Sequence, residues 1–300
     1  MSLDQAREWL TSLGLPPGEP DTLVASTGRF ADGGAYKWEV AGAFDAQSVH
    51  ELVALLAPHG VQLHQVTNTV GTMRYLDAEL RDLVEACAGH LVQLRMAVGP
   101  RGQFDLGAQK LAAGAVAAAS AYRLRGADQL VQALDDVAHA VDLGVRGFLV
   151  FDEGLLTVLD QLRAAGSLPA GLRFKASSNM GAGNPAHARL LAAAGADSVN
   201  LQRDLDLRML AAVRAATPVA LDLHTDNPRS TGGFVRTYDV PAMVRVAAPV
   251  YLKTGNAAQD FSDAPPRGEQ LAAVAHQLLL DHQTLVRLLP TARPSDEPEL

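Results

Sequence analysis

The stretch VALDLHTDN, residues 219–227, begins as an apolar strand and then turns polar at Asp222, His224 and Asp226, spaced two apart. Side chains alternate across a strand, so the three fall on one face. A buried carboxylate or imidazole is costly unless it is paired, hydrogen-bonded or bound to something. Other apolar runs end the same way. Lys37 and Glu39 lie in AYKWEV, and His64 in VQLHQVT, followed by Asn68 and Arg74. Gln93 and Arg95 lie in LVQLRMAV, with Arg101 beyond them, and Asp152 and Glu153 close VRGFLVFDE. Lys175, Ser177 and Asn179, then Asn200 and Gln202, and finally Lys253, Thr254 and Asn256 end three more. Repeated strand after strand, the pattern points to a polar pocket.

Three chemistries fit these residue types. Lys175 and Lys253 sit beside apolar residues, and a desolvated lysine has its pKa lowered enough to form a Schiff base or act as a base. Neutralisation by Glu39 or Asp222 across a lumen is the structural alternative. His64, Asp222, His224 and Glu153 offer imidazoles and carboxylates suited to a divalent metal, though without any local zinc signature. Asp222 and His224 also suit general acid–base work on a shared substrate. The expected catalytic set is therefore Glu39, His64, Lys175, Asp222, His224 and Lys253, with Arg95, Glu153, Asn200, Gln202 and Arg236 binding substrate. Glycine-rich segments (MGAGN, STGGF, KTGN) near Arg236 and Lys253 suit an anionic substrate group. No Walker loop, dinucleotide fingerprint, Gly-x-Ser-x-Gly or His-Glu-x-x-His is present.

The elements that must position these residues alternate regularly. Eight short β-branched or apolar runs are each followed by a helical pattern, and several helices end in glycine just before the next strand. Strict alternation demands a parallel sheet, and eight units in this length fit a closed α/β (β/α)8 TIM-like barrel; an open doubly wound sheet is the alternative. One domain is expected over residues 1–289. Residues 1–30 form an N-terminal extension with a helix and a strand at TLVAST, and residues 100–126 an inserted alanine-rich helix or lid. Residues 290–300, LPTARPSDEPEL without its first residue, read as a disordered tail.

The chain has 300 residues, 48% of them hydrophobic and 19% charged, enough to bury a large core. A net charge of −8 disfavours nucleic acid and anionic membranes, and predicts a cytoplasmic protein. The one cysteine, Cys87 in LVEACAGH, forbids an internal disulfide and reads as a small buried hydrophobe. No secretory or membrane-spanning segment is evident.

The segment GADSVNLQRDLDLRMLAAVRAATPVALDLHTDN resembles the peptidase U32 family of collagenase-like peptidases. GGFVRTYDVPAMVRVAAPVYLKTG and GVRGFLVFDEGLLTVL are similar to bacterial barrel proteins of the same group. The resemblance runs over residues 36–256 and implies a TIM-like barrel and a hydrolase; its pattern matches Asp197, Asn200, Asp204 and Asp222. It assigns no catalytic role to any residue. Family members that hold an iron–sulfur cluster do so on four cysteines, so no such cluster is expected here. The expectation is a hydrolase acting on a small polar or peptide-like substrate. A lysine-dependent lyase or aldolase competes with it, as does a non-catalytic barrel acting as a ligand-binding or partner subunit. A homo-oligomer is a candidate assembly.

Overall fold

Alternation within each strand sends one set of side chains inward and the other toward helices, and the sequence assigns opposite chemistry to the two sets. In the computed structural model, which describes residues 2–101, 105, 122–228, 232–259 and 264–298, eight parallel strands close in sequence order into a barrel. They are β1 (Tyr36–Gly42), β2 (Gln65–Asn68), β3 (Gln93–Ala97), β4 (Gly147–Val150), β5 (Arg173–Ala176), β6 (Ser198–Asn200), β7 (Ala220–His224) and β8 (Val250–Lys253). β1 pairs with both β2 and β8, which leaves no open edge.

Helices α2 (Ala46–Leu56), α3 (Asp77–Gly89), α4 (Gly126–Asp142), α5 (Glu153–Ala164), α6 (Pro185–Ala193), α7 (Leu207–Ala216), α8 (Val240–Ala247) and α9 (Glu269–Leu288) follow the strands, after a short α1 (Leu3–Ser12). Local chemistry fixes several starts. Asp45 and Ser48 form a reciprocal capping box at α2. Asn184 caps α6 with Pro185 in its first turn, and Asp206 caps α7. Asp152, which ends an apolar run in the sequence, caps α5 by accepting from the Leu155 amide at 2.9 Å.

The apolar core is the annulus between sheet and helices. Trp38, Val40, Val66, Met96, Phe148, Phe174, Val199, Leu221, Val250 and Leu252 are buried there against Leu52, Leu83, Val137, Leu156, Leu191, Val213 and Leu278. The inward set is mostly polar: Lys37, Glu39, Gln65, Thr67, Gln93, Arg95, Lys175, Asn200, Asp222, His224 and Lys253 are all buried, with a small apolar cluster of Ala97, Leu149 and Phe151 beside them. Gly147 on β4 makes room for this set, since a Cβ there would collide with the Arg95 guanidinium.

The N-terminal ends of the strands are closed, and two expectations change there. TLVAST forms no strand; it runs as an irregular segment on which Ser26 donates to the Arg245 carbonyl through its amide at 2.7 Å. The expected disordered tail is ordered through residue 298. Its Ser295 is fully buried and donates its amide to the Tyr36 carbonyl at 2.9 Å, and the Lys37 ammonium donates to the Glu297 carbonyl at 2.7 Å. Gly34 permits that approach, because a Cβ there would strike the Ser295 backbone. A proline-rich charged composition suggested disorder; backbone hydrogen bonds to an otherwise open strand end give the segment a place. Most of the expected inserted lid, 100–126, lies outside the described residues.

Candidate active site

Midway along the lumen, β1, β5 and β7 bring two carboxyls and an ammonium together. Lys175 Nζ is 2.5 Å from Glu39 Oε2 and also contacts Asp222 Oδ1, with all three side chains fully buried. Glu39 Oε2 accepts from Gln65 Nε2 at 3.0 Å, and Oε1 accepts from Thr67 Oγ1 at 2.8 Å. Lys253, register partner of Glu39 on β8, brings its ammonium to 3.5 Å from Oε1. The Lys175 ammonium also sits 5.6 Å from the Tyr251 ring centroid, and the Tyr251 hydroxyl donates to Gln93 Oε1 at 3.2 Å.

These contacts split the titration of the group. Burial alone would raise Glu39, but Lys175 and then Lys253 hold its carboxyl well below the usual range. Asp222 goes the other way: burial, reinforced by the Glu39 charge, lifts it to about 6 despite Lys175. Burial, with the Lys175 charge, lowers Lys253 to about 8 against the opposing pull of Glu39. Two carboxyls and two amines thus divide into one fixed anion, one ammonium bound between carboxyls, one carboxyl able to exchange a proton near neutrality, and one amine that is partly unprotonated there.

Toward the C-terminal ends of the strands, His224 lies beside Lys253 in register and is almost fully buried. Among the described residues both its ring nitrogens lack a hydrogen-bond partner, and burial with the neighbouring Lys253 and Arg203 charges keeps it neutral. Asn200 Oδ1, on the strand next to Asp222, is likewise buried and unpartnered.

Not every expected residue joins this group. His64 lies at the closed end: its Nδ1 accepts from the Trp38 amide at 3.0 Å, and burial pushes it to about 3. It begins one residue before β2, so its place in the apolar run misled the assignment. Glu153 stands on the first turn of α5, half-exposed and paired with Arg123 at 2.8 Å. Arg236 pairs with Asp239 at 2.9 Å and donates to the Leu205 carbonyl, bracing the loops apart from the lysine–carboxylate cluster. Gln202 packs on the glycines of MGAGN, donating its amide to the Ala182 carbonyl at 2.9 Å. Arg95 lines the lumen from β3. His64 and Glu153 therefore cannot share a metal with Asp222 and His224, and among the described residues no three His, Cys, Asp or Glu side chains converge as a cation site.

Asp226, third of the opening triplet, accepts from the Asn256 and Ala257 amides at 3.1 and 2.7 Å and pins the β7 loop to the β8 loop. A second brace had little sequence signal. Asp281, inside α9, accepts from Thr225, Thr237, Thr254 and Gln277. Gln65 and Thr67 were also missed, although their period-two spacing beside the Glu39 strand marked them; Arg203, one residue past Gln202, had no periodic signal.

A cleft of about 1180 Å³ lies away from this chemistry, between residues 14–29 and the end of α7. Its Arg7 and Arg214 already donate to the Pro17 and Thr217 carbonyls.

No family model matches the chain, and no curated protein matches it. Solved structures do. The YdjI aldolase from Escherichia coli K12 superposes with a TM-score of 0.50 at 12% identity, over 86% of this chain and 93% of that one. A structure described as native KDPGal gives 0.51 at 11% identity, over 87% and 100%. The U32 peptidase Mk0906 gives 0.43 at 16% identity, over 82% and 98%. Likeness at these identities defines the class as a (β/α)8 barrel. Likeness of this kind does not select the chemistry.

Proposed function

We propose that the protein is a lysine-dependent lyase of the aldolase type acting on a small carbonyl substrate, with Lys253 as the nucleophile. The observation that carries this reading is the placement of two lysines around one carboxylate. Lys175 is held between Glu39 and Asp222, while Lys253 reaches only the far oxygen of Glu39 at 3.5 Å. Lys175 therefore serves as a fixed positive charge that helps keep the Lys253 amine unprotonated.

In the proposed reaction the Lys253 lone pair attacks the carbonyl carbon, and the carbonyl oxygen leaves as water with the two amine protons. The resulting imine, once protonated, withdraws electrons from the bond between the α carbon and the hydroxyl-bearing β carbon. Asp222, able to exchange a proton near neutrality, takes the hydroxyl proton as that bond breaks, and the electron pair is held as an enamine until a proton returns. Glu39 remains anionic and offsets the iminium charge. Borohydride added with a carbonyl substrate tests the reading: a reduced adduct located on Lys253 by mass spectrometry is expected, and no adduct, or one unchanged in Lys253→Met, refutes it.

Hydrolysis of a peptide-like substrate, as the U32 resemblance implies, is the second reading. It is favoured by Asp222 Oδ2, which meets no hydrogen-bond donor among the described residues and is placed to activate a water. Turnover of a peptide without any lysine adduct would select it. In either reading the partner is a small molecule. A cytoplasmic setting goes with the acidic charge and single cysteine; no described helix is long and apolar enough to cross a membrane.

A further inference from the structure

Three polar groups beyond the lysine–carboxylate cluster carry buried atoms without a hydrogen-bond partner among the described residues, and their donor and acceptor pattern describes a ligand. Arg203 follows β6 and is largely buried, and its Nε–H has no acceptor. Among the described residues it forms no salt bridge, and its charge acts on both His224 and Lys253. A guanidinium removed from water without a carboxylate is costly. The luminal anions cannot serve it: Glu39 is shared by Lys175 and Lys253, Asp222 faces Lys175, and Asp226 is engaged by the Asn256 and Ala257 amides. Next to this excess of positive charge stand His224, with both ring nitrogens unpartnered, and Asn200, with a buried, unpartnered Oδ1. A neutral imidazole supplies one donor and one acceptor, and the amide oxygen supplies an acceptor.

We infer that the lumen binds a hydroxylated organic anion, with its carboxylate or phosphate on Arg203 and a hydroxyl between Asn200 and His224. This rests on the lyase reading in one respect only: the same molecule would present its carbonyl to Lys253. The oxyanion accepts the orphaned Nε–H in a charge-assisted bond, and the hydroxyl donates to Asn200 Oδ1 while accepting from the imidazole. A neutral polyol could use the second pair of contacts but would leave the Arg203 Nε–H without an acceptor. A peptide backbone would do the same.

Calorimetric titration with glycerate, glycerol 3-phosphate and glycerol tests the inference on the intact chain. Both anions are expected to bind, and glycerol to bind at least about tenfold more weakly. Arg203→Gln should remove that preference, and Arg203→Lys should restore part of it; circular dichroism confirms that each variant is folded. Because Arg203 forms no salt bridge among the described residues and its Nε–H meets no acceptor there, its loss should leave the fold intact. Equal affinity for glycerol and glycerate, or an unchanged preference in Arg203→Gln, would overturn the inference. Preference for one anion over the other identifies carboxylate or phosphate as the group bound. The two readings fail separately. Anion-selective binding without a borohydride adduct defeats the lyase and leaves the anion site. Equal trapping of neutral and anionic aldehydes, unaffected by Arg203→Gln, does the reverse.

Discussion

Glu39 and Asp222 flank the same ammonium, yet their removal should have very different consequences. Glu39 meets Lys175, Lys253, Gln65 and Thr67, and is the fixed anion of the lumen. Glu39→Gln keeps the shape and removes the charge, leaving two buried amines with one carboxyl that resists ionisation. Breaking a buried pair from one side costs about 3–5 kcal/mol. Asp222→Asn removes a group that already holds a proton readily, so its cost near neutral pH should be within about 1 kcal/mol. The pH dependence separates them further. Glu39 titrates below its ordinary value in the folded protein, so its contribution is present above the unfolded pKa of 4.5 and is lost as pH falls through the folded one. Asp222 titrates above its ordinary 3.8, at about 6, so it favours folding below 3.8 and that contribution is lost as pH rises to about 6. At about 1.4 kcal/mol per pH unit, the loss across that window is on the order of 3 kcal/mol. Denaturant unfolding as a function of pH measures both effects. Asp222→Asn should flatten the wild-type decline between about 4 and 6, and Glu39→Gln should leave that decline in place on a lower curve. Equal destabilisation by the two variants near neutrality, or an unchanged decline in Asp222→Asn, would refute this division of charge.

Other consequences are as direct. The rate of borohydride-trapped adduct formation should rise with pH through about 8, where the Lys253 amine loses its proton, and a profile flat across that range excludes Lys253 as nucleophile. His224→Leu removes two unpartnered buried nitrogens and should raise stability by about 1 kcal/mol while weakening glycerate binding, measured by thermal melting and calorimetry. Asp281→Ala strips the acceptor shared by three threonines and Gln277 and should cost about 2–4 kcal/mol in denaturant unfolding. Truncation after Leu289 uncovers Tyr36 and removes the Glu297 carbonyl from the Lys37 ammonium, so a stability loss of about 2 kcal/mol or more is expected in the same assay.

The barrel was legible because two independent signals agree: β-branched runs at strand length, and helical patterns closed by glycine before each next strand. Period-two spacing also placed Glu39, Lys175, Asp222, His224 and Lys253 on the luminal face, since the pleat fixes the side of every residue once a strand is located. Spacing says nothing of height along the barrel axis. That is why His64, just ahead of β2, was grouped with residues it never meets. It is equally silent on partners: Glu153 is engaged by Arg123, 30 residues away, and Arg236 by Asp239 within its own loop and by the Leu205 carbonyl across to another. The tail was misjudged for a related reason. Composition measures the capacity to form a core, whereas residues 294–297 are held by backbone pairing to a strand end and by a lysine reaching out of the lumen.

That tail gives the barrel a one-way geometry. With Ser295 buried against Tyr36 and Lys37 bonded to Glu297, the described tail closes the N-terminal end of the barrel below the lysine–carboxylate cluster, so a substrate of the proposed lyase would enter and leave on the C-terminal side. Two fragments released from one precursor would have to depart in sequence. The fragment still bound to Lys253 would be the last out, and the first to depart would compete with fresh substrate for the same passage.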